Sequence, residues 1–154
     1  MKRLAALLPL LLLLSPPARA TPARTLRLSF VGDLMAHNVN YETTDFDRVY
    51  DGIRDLFLLD DATFANLEIV IDPSRPRATY PRFNNHPDYV QAAVDAGIDV
   101  FSLANNHSFD YGPAGARATL ASLQELNRRA GRGGRAVASS GLRGTADQPF
   151  EPAE

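Results

Sequence analysis

The 154-residue sequence contains no cysteine. That excludes a disulfide framework, a thiolate metal site and a cysteine for lipid attachment. Any metal would therefore have to be held by His, Asn, Asp or Glu, donors that suit Zn, Mn, Fe or Mg rather than soft ions. A membrane-spanning run is also missing: the apolar stretch Leu4 to Leu14 is too short and is broken by Ser15-Pro16-Pro17. There is no internal repeat. A basic excess is absent too. Setting aside Lys2, Arg3 and Arg19, 13 of the 16 basic side chains remain against 18 acidic ones. A generally basic surface for nucleic acid is not expected from that balance.

What is present begins with a leader. Lys2 and Arg3 form a positive start, Leu4 to Leu14 an apolar centre, and Ala18-Arg19-Ala20 an A-x-A cleavage site. The reading is a secretory signal over residues 1–20, with a mature start at Thr21 and an exported, periplasmic or cell-surface protein. The remaining chain is long enough for one domain with a modest core.

Hydrophobic periodicity alternates between strand and helix. Leu26, Leu28 and Phe30 recur every second residue in Thr25 to Val31, predicting a strand that ends in Gly32-Asp33. From Asp45, the residues Phe46, Val49, Tyr50, Ile53 and Phe57 have helical spacing, predicting a first helix to about Leu59. Ala62 to Leu67 reads as a second strand that delivers Glu68. Residues 69 to 85 carry Pro73, Pro76 and Pro81 and read as a long loop. Pro87 opens a second helix with Val90, Ala93 and Val94 on one face, closed by Gly97. Ile98 to Leu103 is a third strand, and Pro113 starts a third helix with Leu120, Leu123 and Leu126 on one face. After Asn127 no core is legible. Residues 128–154 read as an Arg/Gly-rich connection whose arginines are either solvated or in contact with a polyanion. Such alternation predicts an α/β fold of βαβαβα order with a mostly parallel sheet.

The most informative stretch is SLANNHSFDYGPAG, from Ser102 to Gly115. It empties a strand into Asn105-Asn106-His107 and restarts as a helix. In an open α/β sheet the carboxyl ends of strands are where ligands bind. Gly32-Asp33, Asn66 with Glu68, and Asn106-His107 all fall there. Together Asp33, Glu68, Asn106 and His107 form a candidate set for one or two divalent ions, the carboxylates supplying charge and the histidine either binding metal or acting as an acid. Each has a plainer alternative. Asp33 can cap a turn, Glu68 can be an exposed carboxylate, and His37 can be a surface imidazole. His86 reads as a helix cap or loop residue. Asp110 either orients His107 or caps the following helix.

Gly32-Asp33-Leu34-Met35, Ala65-Asn66-Leu67-Glu68, Phe83-Asn84, and Ala104-Asn105-Asn106-His107 with Asp110, Gly112, Gly115 and Thr119 resemble the bacterial capsule synthesis family called CapA. That family includes the poly-γ-glutamate capsule proteins and lies within the calcineurin-like metallophosphoesterases. The likeness runs from about Leu26 to Leu126. It implies a partial metallophosphoesterase-like α/β sandwich over residues 21–127 and divalent metal cofactors. It further implies Asp33, Glu68 and Asn106 on metal, with His37 as a further candidate ligand, and His107 with Asp110 in catalysis. Asn66, Asn105, Arg82 and Asn84 would face substrate. The implied partners are an anionic surface polymer or its precursor and membrane-bound capsule synthesis proteins. Met35 stands where the wider superfamily has a histidine.

Family members continue through further histidine motifs, whereas nothing after His107 here is a histidine. The expectation is an amino-terminal fragment carrying half a site. A non-catalytic polymer-binding or assembly subunit, using Arg75, Arg77, Arg82 and the arginine-rich tail, is the competing reading, and an inactive truncation product is the third.

Overall fold

The computed structural model describes residues 24–130 and 135–145. The leader, and the tail at 131–134 and 146–154, lie outside the described residues. Four strands form one parallel sheet in the order β1-β2-β5-β6: β1 (Leu28–Leu34), β2 (Ala62–Leu67), β5 (Ile98–Ser102) and β6 (Ala138–Ser140). Between β2 and β5, the short strands β3 (Val70–Ile71) and β4 (Asn84–Asn85) pair in parallel as a second, two-stranded sheet. The helices are α1 (Arg54–Leu58), α2 (Pro87–Asp95) and α3 (Gly112–Ala130). The α/β class and the parallel sheet are as the alternation predicts. Among the described residues no helix is long and apolar enough to cross a membrane.

Several elements form where local chemistry places them. β2 spans the predicted residues. In α2, Pro87 occupies the first turn after an extended His86, and Tyr89, Val90, Ala92, Ala93 and Val94 are buried. Gly97, with φ +114°, follows its last turn. In α3 the buried positions Ala116, Thr119, Leu123, Leu126 and Ala130 follow the three-and-four spacing of a single helical stripe. That helix packs on β3 through Gly115, where a Cβ would come within 2.9 Å of the Tyr111 Cβ and 3.3 Å of Val70. Thr119 then accepts a 3.0 Å hydrogen bond from the Ile71 amide. Gly115 and Thr119, both part of the helix motif, are thus what lets α3 sit against β3.

Four expectations need correction. The first strand does not end in Gly32-Asp33 but runs through them to Leu34, with a register irregularity between Phe30 and Asp33. A glycine inside a strand commonly marks such a bulge. The first helix is broken into a 3-10 turn, Asp47–Tyr50, and the five-residue α1. Phe46, Tyr50 and Phe57 still reach the core, while Val49 and Ile53 are exposed. The long loop contains β3 and β4. Finally, the tail beyond Asn127 carries structure: α3 continues to Ala130, Val137 is buried, and β6 adds an edge strand.

The sheet has one covered and one open face. Ala65, Leu67, Ile98 and Phe101 are buried with α2 and α3 in the core. Phe30, Phe64 and Val100 instead line a cleft of about 550 Å³ that extends along the sheet to Asn66, Ser102 and Ser140. The alternation in β1 is real, yet its apolar face is the open one: Leu26, Leu28 and Phe30 are exposed, Phe30 to 72%. Phe30 stacks on Phe64 with ring centres 4.8 Å apart.

The two faces should respond differently to truncation. Phe101→Ala, in the fully buried layer, is expected to cost about 3–5 kcal/mol. Phe30→Ala, which loses chiefly its stack on Phe64, should cost no more than about 1.5 kcal/mol. Denaturant unfolding of both variants measures the difference, and equal costs would contradict the assignment of faces.

Candidate functional site

Parallel pairing carries the chemistry-bearing residues to one edge. Asp33 on β1 is in register with Asn66 on β2, Asn66 with Ser102 on β5, and Ser102 with Ser140 on β6. Glu68 follows the end of β2, and residues 105–110 follow β5. The end of β6 closes against this loop. Leu103 donates its amide to the Ser140 carbonyl at 2.8 Å, and Gly141, at φ +112°, lies so near Ala104 that a Cβ would come within 2.7 Å of its nitrogen.

A chain of amide hydrogen bonds links these segments. Asn66 donates through Nδ2 to the Asp33 carboxylate at 2.8 Å and to Glu68 at 2.6 Å. Its Oδ1 accepts from Asn105 Nδ2 at 3.1 Å, and the same Nδ2 donates to the Leu67 carbonyl at 3.0 Å. The Asn105 Oδ1 accepts the amide of His107 at 3.1 Å. Ser108, which sequence reasoning did not single out, is buried. Its Oγ accepts from the Asn105 amide and donates to the Leu103 carbonyl. Partial burial pushes the Glu68 carboxyl above the usual carboxylate range, as do the hydrogen bond and charge of Asp33. His107 and the Asn66 amide act in the opposite direction. Two carboxylates thus converge on the one neutral amide of Asn66.

His107 is held from two sides. Its Nδ1 lies 2.9 Å from Asp110 Oδ2, and that oxygen also accepts the Phe83 amide at 2.7 Å. The Phe83 ring stands edge-on to the imidazole with centres 4.7 Å apart. Asp110 therefore orients His107, one of the two roles left open by the sequence. His37 packs against the Phe83 ring, centres 5.4 Å apart. Asn106 is exposed between Asn105 and His107. His86 precedes α2 and makes no side-chain cap; its ring Nε2 lies 2.8 Å from the Arg75 carbonyl.

The segment that presents Phe83 is built on buried polar groups. Asn84 is fully buried, its Oδ1 accepting the Asp72 amide and its Nδ2 donating to the Asp72 and Pro76 carbonyls. This corrects the expectation that Asn84 faces substrate: both ends of its amide hold the loop. Asp72 accepts from the Ser74 amide and hydroxyl and from Arg75 Nε. Burial alone would raise its carboxyl, but the Ser74 and Arg75 donors outweigh that and bring it below the ordinary value. Arg77 is committed to Asp88 and the Thr43 carbonyl. Arg82 is exposed.

A family model described as Bacterial capsule synthesis protein PGA_cap matches residues 27–140. The chain belongs to this family. Membership supports a role in capsule biosynthesis, and the α/β architecture with its parallel sheet is that of a partial metallophosphoesterase-like fold. Compared with curated proteins, the chain matches none. The match to the capsule synthesis family covers both the carboxylate pair and the His107 loop.

The metal set implied by the resemblance fits in part. Among the described residues no group of three or more His, Asp or Glu side chains is placed to hold an ion. What the structure does offer is the Asp33 and Glu68 pair, hard oxygens whose mutual repulsion a divalent cation would relieve.

Asn105→Ala would strip partners from Asn66, Leu67 and His107 at once, so a loss of roughly 1–3 kcal/mol is expected in denaturant unfolding. A second outcome concerns acid. The folded carboxyl of Asp72 lies below its unfolded value of about 3.9, so its contribution is complete above that value and is lost as pH falls through the folded one. Asp72→Asn should therefore be less stable than wild type at neutral pH and show a flatter stability profile below about pH 4.

Proposed function

We propose that, within capsule biosynthesis, this chain is an exported hydrolase that acts on an anionic surface polymer such as poly-γ-glutamate, or on its precursor, alongside membrane-bound synthesis proteins. The observation that carries the reading is the His107–Asp110 pair, fixed by Phe83, beside the Asp33–Glu68 carboxylates joined through Asn66. With Nδ1 engaged by Asp110, the remaining ring nitrogen of His107 is the one available to pass a proton to a departing oxygen or nitrogen. Phe83 fixes the ring plane, and Asn66 keeps the two carboxylates converged.

A divalent ion held by Asp33, Glu68 and the Asn106 carbonyl oxygen would supply Lewis-acid polarisation of a phosphoryl or acyl oxygen. The remaining ligands would be water or groups beyond the described residues. Export rests on the leader pattern of residues 1–20. A second reading, a polymer-binding or assembly subunit without catalysis, is favoured by Arg75 and Arg82 gathered on the Tyr111 ring.

The test is hydrolysis of phosphoester and polyamide substrates by the purified chain, with metal content measured alongside. His107→Ala should lower kcat by about 10²–10⁴-fold, and Asp110→Asn should lower it while leaving metal content unchanged. Chelation should abolish turnover, and added Mn or Mg restore it. Turnover that survives both chelation and His107→Ala would sink the hydrolytic reading. Polymer binding without any turnover would leave the second.

A further inference from the structure

We infer that Arg75, Tyr111 and Arg82 form a subsite beside His107 that takes a carboxylate of the substrate chain. The inference rests on the reading of that substrate as an anionic polymer. The Arg75 guanidinium lies 4.9 Å and that of Arg82 5.2 Å from the centre of the same Tyr111 ring. The ring is itself anchored, since the Tyr111 hydroxyl donates to the Arg82 carbonyl at 3.3 Å. Tyr111 directly follows Asp110, and Arg82 directly precedes Phe83, the two residues that fix the His107 ring. The cluster is therefore tied at both ends to the imidazole's supports.

Its charge is unbalanced. Gathering two guanidinium groups on one ring brings like charges together, and the ring face offsets only part of the repulsion. Asp72 answers Arg75 through a 2.9 Å ion pair. Arg82 has no ion pair among the described residues and is exposed. One uncompensated cation remains, set over the ring of Tyr111, the residue that directly precedes the amino terminus of the 19-residue α3. A planar guanidinium held in that way matches a carboxylate through two parallel hydrogen bonds. A chain carrying carboxylates at intervals could place one there while the adjoining linkage meets His107. Arg75, already paired, positions the ring and the field rather than making the main contact.

The test measures binding apart from turnover. A fluorescein-labelled oligomer of L-glutamate is titrated with the full chain at fixed salt, followed by anisotropy. Arg82→Ala should weaken binding about tenfold or more. Arg82→Lys should restore it only in part, because an ammonium cannot bridge both oxygens. Arg48→Ala, an exposed arginine in the 3-10 turn, should bind as wild type does. Binding by Arg82→Ala within about twofold of wild type, or an equal loss in Arg48→Ala, would overturn the subsite. Displacement of the oligomer by inorganic phosphate at lower concentration than by glutarate would reassign the contact to a phosphoryl group and overturn the carboxylate assignment. Because the titration reads binding and not turnover, failure of the subsite and failure of the hydrolytic reading are distinguishable.

Discussion

The side-chain amide of Asn105 is the junction on which the site depends. It reaches back from the loop after β5 to Asn66 and Leu67 on β2, and Asn66 in turn holds Asp33 on β1 and Glu68. Three chain segments that hydrophobic burial brings only roughly together are thereby set to hydrogen-bond distance. Burial is non-directional and cannot choose among neighbouring registers of polar side chains, whereas an amide with one donor end and one acceptor end can. Ser108 adds rigidity by satisfying the Asn105 backbone while tying itself to Leu103. The ANNH sequence is therefore two devices in one: Asn105 locks the loop to the sheet, and Asn106 and His107 are what the locked loop displays.

The proline-rich segment after β2 has a comparable internal logic. A loop of this length would bury backbone groups without partners unless something answered them. Asn84 answers four backbone groups from within the core, and Asp72 gathers Ser74 and Arg75. The result is a firm platform for Phe83, whose amide and ring meet Asp110 and His107. Such support fixes the orientation of the imidazole before any ligand arrives. The family resemblance implied that Asn84 would face substrate. Its complete burial shows that motif residues include those that build the support.

The sheet's two faces illustrate a general ambiguity of period-two patterns. Alternation in Leu26, Leu28 and Phe30 marks a strand correctly, yet a strand has two faces and the pattern does not say which is covered. Here the helices cover the face of Ala65, Leu67 and Phe101, leaving Phe30, Phe64 and Val100 along the open cleft. The bulge between Phe30 and Asp33 then carries β1 on to deliver Asp33 opposite Asn66. Helical spacing misled in a related way after Asp45. Phe46, Tyr50 and Phe57 are buried as the pattern requires, but burial of these side chains is compatible with a turn and a short helix as well as with one long helix.

Sequence alone determined the α/β class, the order of its principal strands and helices, and the family. It also placed Asp33, Glu68 and His107 at the carboxyl edge, because parallel strands joined by helices must present their ends on the same side. Tertiary structure alone decided which groups meet. Asp33 and Asn66 are 33 residues apart, Asn66 and Asn105 39 apart, and Phe83 and Asp110 27 apart. Their contacts follow from strand register and from a buried loop that no local periodicity encodes. β6 was hidden for the same reason. Ala138 to Ser140 is too short and too polar to announce a strand, and it becomes one only because the edge of β5 offers it backbone partners.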